Sequence, residues 1–286
     1  MRTFYLFRRQ PHILTMLFWP LRTSLCGSRL YRILLISAIL TSLLDPSRLS
    51  AQEIPAIAAA ANIKFALDSI ASQFTQDTGL QVRVSYGSSG NFVSQIQHGA
   101  PFELFLSADE RYIQQLVSAG LTRDAGQTYA LGRLALVAPN TSALLLDEQL
   151  TGVTQLLASG QLERFAIANP DHAPYGERAR EVLQYFGLWD ALKGKLILGE
   201  NVSQAAQFAV SGSTQGGIVA LSLVSAPQFN HLGRYIALPE TGHSPLIQSM
   251  VLLPNASSTA QTFYHYLTSD KARQIFTQFG FGLPVQ

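Results

Sequence analysis

The chain has 286 residues, of which 47% are hydrophobic and 13% are charged, a composition that allows one large domain or two lobes and excludes a disordered chain. Its net charge of +2 arises from the first 51 residues, which hold seven arginines and a single acid, Asp45. Subtracting these from the totals of 20 basic and 18 acidic residues leaves 13 and 17, a net charge of about −4. The remaining chain therefore offers no basic surface for nucleic acid.

The first 51 residues have the features of a secretory signal peptide. The arginines are followed by an apolar run over residues 33–44 and by the small-residue pattern Leu49-Ser-Ala51, just before Gln52. The apolar run is shorter than the ~20 residues that cross a bilayer, although a membrane anchor is the alternative. We expect residues 1–51 to be removed and the protein to be periplasmic. The only cysteine, Cys26, lies in this segment, so no disulfide or cysteine metal site is expected.

The segment that follows alternates short apolar strands with amphipathic helices. The predicted strands are 54–60, 81–85 and 103–106, and each is followed by a helix, the first ending at Gly79. Ser107-Ala-Asp-Glu110 predicts a capping box in which Ser107 begins the third helix. This alternation is typical of a parallel sheet that helices cover on both faces.

The second half of the sequence contains too many further elements for one small sheet. The predicted strands are 131–138, 165–168, 196–198, 217–221 and 248–253, and the predicted helices are 150–158, 176–186, 202–210, 257–267 and 270–279. We therefore expect an α/β fold of two lobes, each a mainly parallel sheet flanked by helices. Lobe I would comprise 52–133 and 252–286, and lobe II would comprise 134–251. The cleft between the lobes is the expected ligand site.

Four strand-to-helix junctions carry small or polar residues: Ala61-Asn62, Ser88-Ser89, Pro174-Tyr175-Gly176 and Asn201-Val202-Ser203. A helix N-terminus offers unpaired N–H groups and a partial positive charge, which together attract anions. No lysine or arginine lies in these turns, so the pattern predicts an oxyanion held by neutral dipoles. Each junction alone is also explained as an ordinary helix cap, worth ~1 kcal/mol.

Sequence motifs of common enzymes and metal sites are absent. The nucleophile elbow Gly-x-Ser-x-Gly fails because position 91 is Asn, and neither a phosphate-binding loop nor a His-Glu-x-x-His motif occurs. The histidines beyond residue 51 show no metal-ligand spacing, so we expect no metal, no cofactor and no catalysis. A secreted hydrolase that uses Ser89 or Ser107 with a distant histidine is the alternative from another class.

Several stretches carry a family resemblance. They are Ala58-Ala-Ala-Ala-Asn62, Tyr86-Gly-Ser-Ser-Gly90, Gly99-Ala-Pro-Phe-Glu-Leu-Phe-Leu-Ser-Ala-Asp-Glu110, Tyr129-Ala-Leu-Gly-Arg-Leu-Ala-Leu-Val137, Ala166-Ile-Ala-Asn-Pro-Asp-His-Ala-Pro-Tyr-Gly176 and Gly217-Ile-Val219. From about Ile54 to Pro284 the chain resembles the periplasmic molybdate-binding proteins of ABC transporters. The resemblance implies a two-lobed Venus-flytrap fold of the type II periplasmic binding proteins. It implies a monomer that closes on molybdate or tungstate and delivers it to a membrane permease.

The resemblance also implies the binding residues. They are the main-chain N–H groups of Ala61 and Asn62 with the Asn62 side chain, the hydroxyl and N–H of Ser89, the phenol of Tyr175 and the N–H of Val202. Gly87 and Gly90 are expected to let the ligand approach the backbone. The chain departs from the family pattern at Ala61, where members often carry Ser or Thr, and at Ala220, where some carry a ligand Tyr. Another tetrahedral oxyanion, such as sulfate, is the alternative cargo.

Overall fold

The computed structural model describes residues 54–284. The predicted signal peptide, its cleavage site before Gln52, and Cys26 lie outside these residues. Over the described range, none of the helices has both the length and the apolar character needed to span a bilayer.

Ten strands and ten helices follow one another along the described residues. The strands are β1 Ala56–Ala60, β2 Arg83–Gly87, β3 Leu104–Ser107, β4 Gln127–Gly132, β5 Leu134–Pro139, β6 Phe165–Ala168, β7 Leu196–Gly199, β8 Gly216–Ala220, β9 Gly233–Ala237 and β10 Leu246–Leu252. The helices are α1 Lys64–Thr78, α2 Ser89–Gln97, α3 Glu110–Ser118, α4 Thr151–Ala158, α5 Pro174–Tyr185, α6 Trp189–Leu192, α7 Val202–Val210, α8 Leu221–Val224, α9 Ser258–Tyr266 and α10 Asp270–Gln278. Short 3₁₀ turns cover Ala61–Ile63, Lys193–Lys195 and Pro227–Phe229.

The strands form two five-stranded sheets, one in each lobe. The first has the order β2-β1-β3-β10-β4 and the second the order β7-β6-β8-β5-β9. In each sheet three neighbouring strands pair in parallel, and the other two pairings are antiparallel. Four of the five strands therefore share one direction, and one strand, β10 in the first sheet and β5 in the second, runs against them. The two-lobed α/β fold is thus confirmed, and the single reversed strand makes each sheet mixed.

The chain crosses from the first lobe to the second at Arg133. The predicted strand 131–138 is two strands, β4 and β5, which belong to different sheets. The continuous apolar run conceals this break, because both strands are buried and the residue between them is a single arginine. The predicted start of the second lobe at residue 134 coincides with β5.

The return crossing lies between Ala237 and Leu246, earlier than predicted. The residues of β10 pair with β3 and β4 of the first sheet, so residues 246–251 belong to the first lobe and not to the second. Strand β9, which precedes the crossing, was not predicted, because it is only partly buried and shows no clear alternation.

Helices cover both faces of the first sheet. On one face Ile57 and Leu104 pack against Phe74 of α1 and Phe263 of α9. On the other face Phe105 packs against α2 and α3. A separate core fills the second lobe around β5, β6 and β8. Since all these strands are buried, the polar ends of the strands are the places where function can be built.

Helix α3 is capped differently from the prediction. Its N-cap is Asp109, whose carboxylate accepts the Arg111 N–H at 2.9 Å. The hydroxyl of Ser107 instead donates to the carbonyl of Asp109 at 2.7 Å, which shapes the turn before the helix. The predicted capping box is therefore wrong: the cap lies two residues later, and the third helical residue is Tyr112, which is not the Glu or Gln that a capping box requires.

Candidate functional site

A small cavity of about 10 Å³ lies between the two lobes. It is lined by uncharged residues: Ala60, Ala61, Asn62, Gly87, Ser88, Ser89, Ala108, Ala173, Pro174, Tyr175 and Val202. All five predicted ligand residues are in this set. A cavity of this size is comparable to the space for one water molecule. A compact ligand would fit between the lobes if they were slightly less closed than in this structure. A sugar or a peptide would hold the lobes apart.

The fold brings these residues together because each follows the end of a strand. The turn Ala61–Ile63 follows β1, and α2 begins at Ser89 after β2 in the same sheet. In the second lobe, α5 and α7 begin after β6 and β7. Parallel neighbouring strands end at the same edge of a sheet, so both lobes direct helix N-termini at the cleft.

The helix caps at these junctions leave other N–H groups of the helix starts unused. The hydroxyl of Ser88 accepts from the N–H of Asn91 at 3.4 Å. The amide oxygen of Asn201 accepts from the N–H groups of Ser203 and Gln204 at 3.0 and 3.1 Å. The Asn201 cap therefore satisfies the second and third N–H groups of α7, and the Ser88 cap satisfies the third N–H group of α2, whose second N–H, that of Gly90, donates to the His172 carbonyl. The first N–H groups, those of Ser89 and Val202, remain at the cavity.

The hydroxyl of Ser89 has its proton available for a ligand. Ser89 is fully buried, and its Oγ accepts the Ala108 N–H at 3.0 Å. Because the neighbouring residue Ser88 provides the helix cap, Ser89 is not needed for that role. A hydroxyl that accepts one hydrogen bond from the protein can donate its own hydrogen to an anion.

The hydroxyl of Tyr175 is in the same situation. It accepts from Asn62 Nδ2 at 3.3 Å and from Gln248 Nε2 at 3.0 Å. Burial raises the pKa of Tyr175 above its usual value, although these hydrogen bonds lower it, so the phenol keeps its proton. Because the Asn62 and Gln248 amides both donate to the phenol oxygen, the phenol proton remains available to a ligand in the cavity.

The side chain of Asn62 is not placed as the family resemblance implies. Its two N–H hydrogens are directed to the Tyr175 hydroxyl and to Gln248 Oε1, at 3.3 and 3.0 Å. Its Oδ1 is buried and has no hydrogen-bond partner within residues 54–284. In this geometry Asn62 offers a ligand its main-chain N–H, while its side chain orients Tyr175.

Sequence reasoning missed two buried residues of this network, Gln248 and Tyr129. Gln248 bonds both Asn62 and Tyr175, and its Oε1 accepts the Tyr129 hydroxyl at 3.0 Å. A glutamine in the apolar strand Leu246–Leu252 is the one signal that the sequence offers, because a polar side chain in a buried strand needs partners.

Charged and polar contacts connect the lobes around the cavity. Arg178 lies 2.6 Å from Asp109, and Arg111 lies 2.5 Å from Glu177. On another side of the cleft, Asn91 donates to Glu200. We call this set the closure contacts, since each joins a residue of the first lobe to one of the second. They describe a closed conformation of the protein.

Two hydroxyls of the second lobe also bond the turn that follows β1. Ser203 donates to the carbonyl of Ala61 at 2.9 Å, and Ser222 donates to the carbonyl of Asn62 at 2.8 Å. These bonds hold the carbonyls away from the cavity. The N–H groups, on the opposite side of the turn, therefore face the cavity.

Gly90 is required for the approach of the second lobe. Its N–H donates to the His172 carbonyl at 3.0 Å, and a Cβ at this position would lie 2.8 Å from the same oxygen. A Cβ at Gly87 would instead meet the ring of Phe92 in its own lobe. Gly90 therefore admits the His172 carbonyl of the second lobe, whereas the sequence interpretation assigned it to the ligand; Gly87 lines the cavity.

The serines considered for a hydrolase have no histidine partner. Ser89 bonds the Ala108 main chain, and Ser107 bonds the Asp109 main chain. Ser88 does lie 2.9 Å from His172 Nδ1, and His172 Nε2 lies 3.7 Å from Glu200. However, Ser88 is 4% exposed and caps α2, so no substrate carbonyl reaches it in the closed cleft. Residues 54–284 also contain no cluster of His, Cys, Asp or Glu suited to a metal.

Comparison with known proteins identifies the family. Residues 56–282 match the model of the bacterial extracellular solute-binding proteins. The molybdate-binding protein ModA of Azotobacter vinelandii is 37% identical over 230 residues, which cover 79% of this chain and 89% of that protein. ModA of Escherichia coli is 33% identical over 228 residues, 78% of this chain and 86% of that protein.

A solved structure agrees with this assignment. The periplasmic molybdate-binding protein of Azotobacter vinelandii superposes with a TM-score of 0.73 at 31% identity, covering 81% of this chain and all of that one. These relatives are solute-binding proteins and not enzymes. The chain therefore belongs to the bacterial extracellular solute-binding proteins, in the family of the molybdate-binding protein ModA.

Proposed function

We propose that this protein binds molybdate, and also tungstate, outside the cytoplasm for delivery to an ABC importer. The observation that carries the proposal is the state of two buried hydroxyls at the cavity. Ser89 and Tyr175 already accept hydrogen bonds from the protein, and each still has its proton to donate. A fully ionised tetrahedral oxyanion has only acceptors and matches such a site.

The absence of charge from the cavity lining supports the same ligand class. Neutral hydroxyls and helix N-termini stabilise an anion without neutralising it, and burial strengthens each of these bonds. Hydrogen phosphate carries a proton and favours a carboxylate acceptor, which the lining does not contain. The amide oxygen of Asn62 is the acceptor that phosphate would have to use.

Sulfate is the alternative cargo because it has the same shape and charge as molybdate and is smaller. The hydrogen-bond donors alone do not separate the two anions, since both accept from the same groups. The extent to which the lobes close sets the selectivity. The molybdate-binding relatives support molybdate.

Export and partners are part of the same proposal. Removal of residues 1–51 would leave a periplasmic monomer without cysteine that meets the membrane permease in its ligand-bound form. Amino-terminal sequencing of the exported protein tests the cleavage before Gln52. Size-exclusion chromatography with light scattering tests the monomer.

Isothermal titration tests the choice of ligand. We expect molybdate and tungstate to bind the purified protein with one-to-one stoichiometry, and excess sulfate or phosphate to leave that binding intact. Displacement by sulfate would keep the site but change the cargo. If no oxyanion binds, the proposal is wrong and the junctions are helix caps alone.

A further inference from the structure

The orientation of the Tyr175 phenol depends on a side chain that does not line the cavity. Gln248 lies on β10 and is 0% exposed. Its Nε2 lies 3.0 Å from the Tyr175 oxygen, and its Oε1 lies 3.0 Å from both Asn62 Nδ2 and the Tyr129 oxygen. The amide thus joins a strand of the first lobe to a helix of the second.

In the structure the partners of the Gln248 amide agree with one orientation. The Asn62 amide turns its N–H2 group toward Gln248, and the Gln248 atom that faces this donor is the amide oxygen. Tyr129 donates to the same oxygen. The N–H2 end of Gln248 then faces Tyr175, whose oxygen must act as an acceptor.

The orientation of the amide decides what the ligand meets. A reversed amide would present Oε1 to Tyr175, and the phenol would donate its proton to Gln248 instead of the ligand. The lone pairs of the phenol would then face the cavity and repel an anion. With the observed orientation, the phenol proton remains free for an acceptor in the cavity.

The packing around this contact leaves little room for a different arrangement. A Cβ at Gly132 would lie 2.5 Å from Gln248 Nε2 and would also collide with the Tyr175 hydroxyl. Gly132 is the last residue of β4, next to the crossing at Arg133. The glycine therefore lets the amide and the phenol meet beside this crossing.

We propose that Gln248 is a positioning residue that makes Tyr175 a hydrogen-bond donor and thereby selects fully ionised oxyanions. The proposal deepens the proposed function and rests on it. Gln248 acts through Tyr175 and makes no contact with the ligand itself. Ligands that present a proton toward Tyr175 are disfavoured, because the phenol oxygen is occupied by donors.

A double-mutant cycle separates positioning from a structural role. The molybdate affinities of the wild type, Gln248→Met, Tyr175→Phe and the double variant are measured by titration. We expect Gln248→Met to lose about three- to tenfold and Tyr175→Phe about ten- to a hundredfold. The double variant should bind like Tyr175→Phe, because Gln248 has no phenol left to orient.

A second variant tests the polarity of the contact. Gln248→Glu has the same shape, but its carboxylate accepts the Tyr175 proton and removes it from the ligand. We expect a loss of about a hundredfold or more in molybdate affinity, larger than for Gln248→Met. Ser249→Ala serves as a control. The hydroxyl of the neighbouring Ser249 lies 3.2 Å from the Thr128 hydroxyl and has no bond to Gln248, Tyr175 or Asn62.

The outcomes distinguish this proposal from the proposed function. If the wild type binds no oxyanion, both are wrong. The wild type could bind molybdate while Gln248→Met lowers the affinity by the same factor in the wild type and in Tyr175→Phe. In that case only the positioning role is wrong. The same holds if Gln248→Glu binds as well as the wild type. If the cargo is sulfate, the cycle is repeated with sulfate and the same non-additivity is expected.

Discussion

The carboxylate of Asp109 in the first lobe lies 2.6 Å from the guanidinium of Arg178 in the second, and the two side chains are only 4% and 5% exposed. Arg178 also pairs with Glu181 of its own helix at 2.8 Å. A buried ion pair is costly to break when one partner stays buried. Opening of the cleft returns both groups to water, so this pair favours the closed form only when both members are present.

Asp109→Asn is therefore expected to weaken ligand binding. Asparagine is also a good N-cap, so α3 keeps its start while the charge that meets Arg178 is lost. We expect about a ten- to hundredfold loss of molybdate affinity in titration, since the closed form becomes less favourable.

The matched control for this variant is Asp190→Asn. Asp190 pairs with Lys193 at 2.9 Å on an exposed surface of the second lobe. Exposed pairs contribute little, so its affinity should equal that of the wild type. Equal affinities for Asp109→Asn and Asp190→Asn would mean that the buried pair does not control closure.

Gly90→Ala is expected to obstruct closure sterically. Its Cβ would press on the His172 carbonyl across the cleft, at 2.8 Å. We expect weaker molybdate binding and, in small-angle scattering with ligand, a larger radius of gyration than the wild type. The free energy of unfolding should change little, because alanine suits a helix better than glycine. Gly194→Ala, where a Cβ meets no atom within 4 Å, should leave the affinity unchanged.

Ser89→Ala removes a donor from the ligand and the acceptor of the Ala108 N–H. We expect a loss of ~1.5–3 kcal/mol in oxyanion binding, the range for a hydrogen bond to a charged group. Ser211→Ala is the control, since Ser211 lies on the surface after α7. An unchanged affinity in titration would remove Ser89 from the site.

We interpret the contact between Ser88 and His172 as one that stabilises the closed cleft and not as a catalytic pair for ester hydrolysis. The wild type should hydrolyse a nitrophenyl ester no faster than Ser88→Ala does. Ser88→Ala should unfold ~1 kcal/mol more easily, because α2 loses its cap, and it should bind molybdate less tightly. Ester turnover that disappears in Ser88→Ala would restore the hydrolase alternative.

Local chemistry explains what was predictable from the sequence. The bounds of β6 and α7 agree with the predicted 165–168 and 202–210, because a short apolar run and the Asn201 cap delimit them. The five expected site residues meet at one cavity since each follows a strand end, which is a local feature. Expectations of this kind need no knowledge of how the lobes close.

Long-range partners could not be predicted in this way. Gln248 is 186 residues from Asn62 along the chain, and the ion pair of Asp109 and Arg178 exists only when the lobes meet. The division into β4 and β5 was also hidden within one apolar run, although the boundary between the lobes at residue 134 was predicted. The Asn62 side chain was expected to face the ligand, and only its partners show that its donors are used elsewhere.

Anomalous diffraction from crystals grown with tungstate tests the central claim most directly, because tungsten marks the position of the oxyanion. We expect a single strong peak in the cavity between the lobes, with the oxygens of the anion within hydrogen-bond reach of the Ser89 hydroxyl, the Tyr175 hydroxyl and the Val202 N–H. A peak elsewhere, or an empty cavity in protein that binds tungstate in solution, would contradict it.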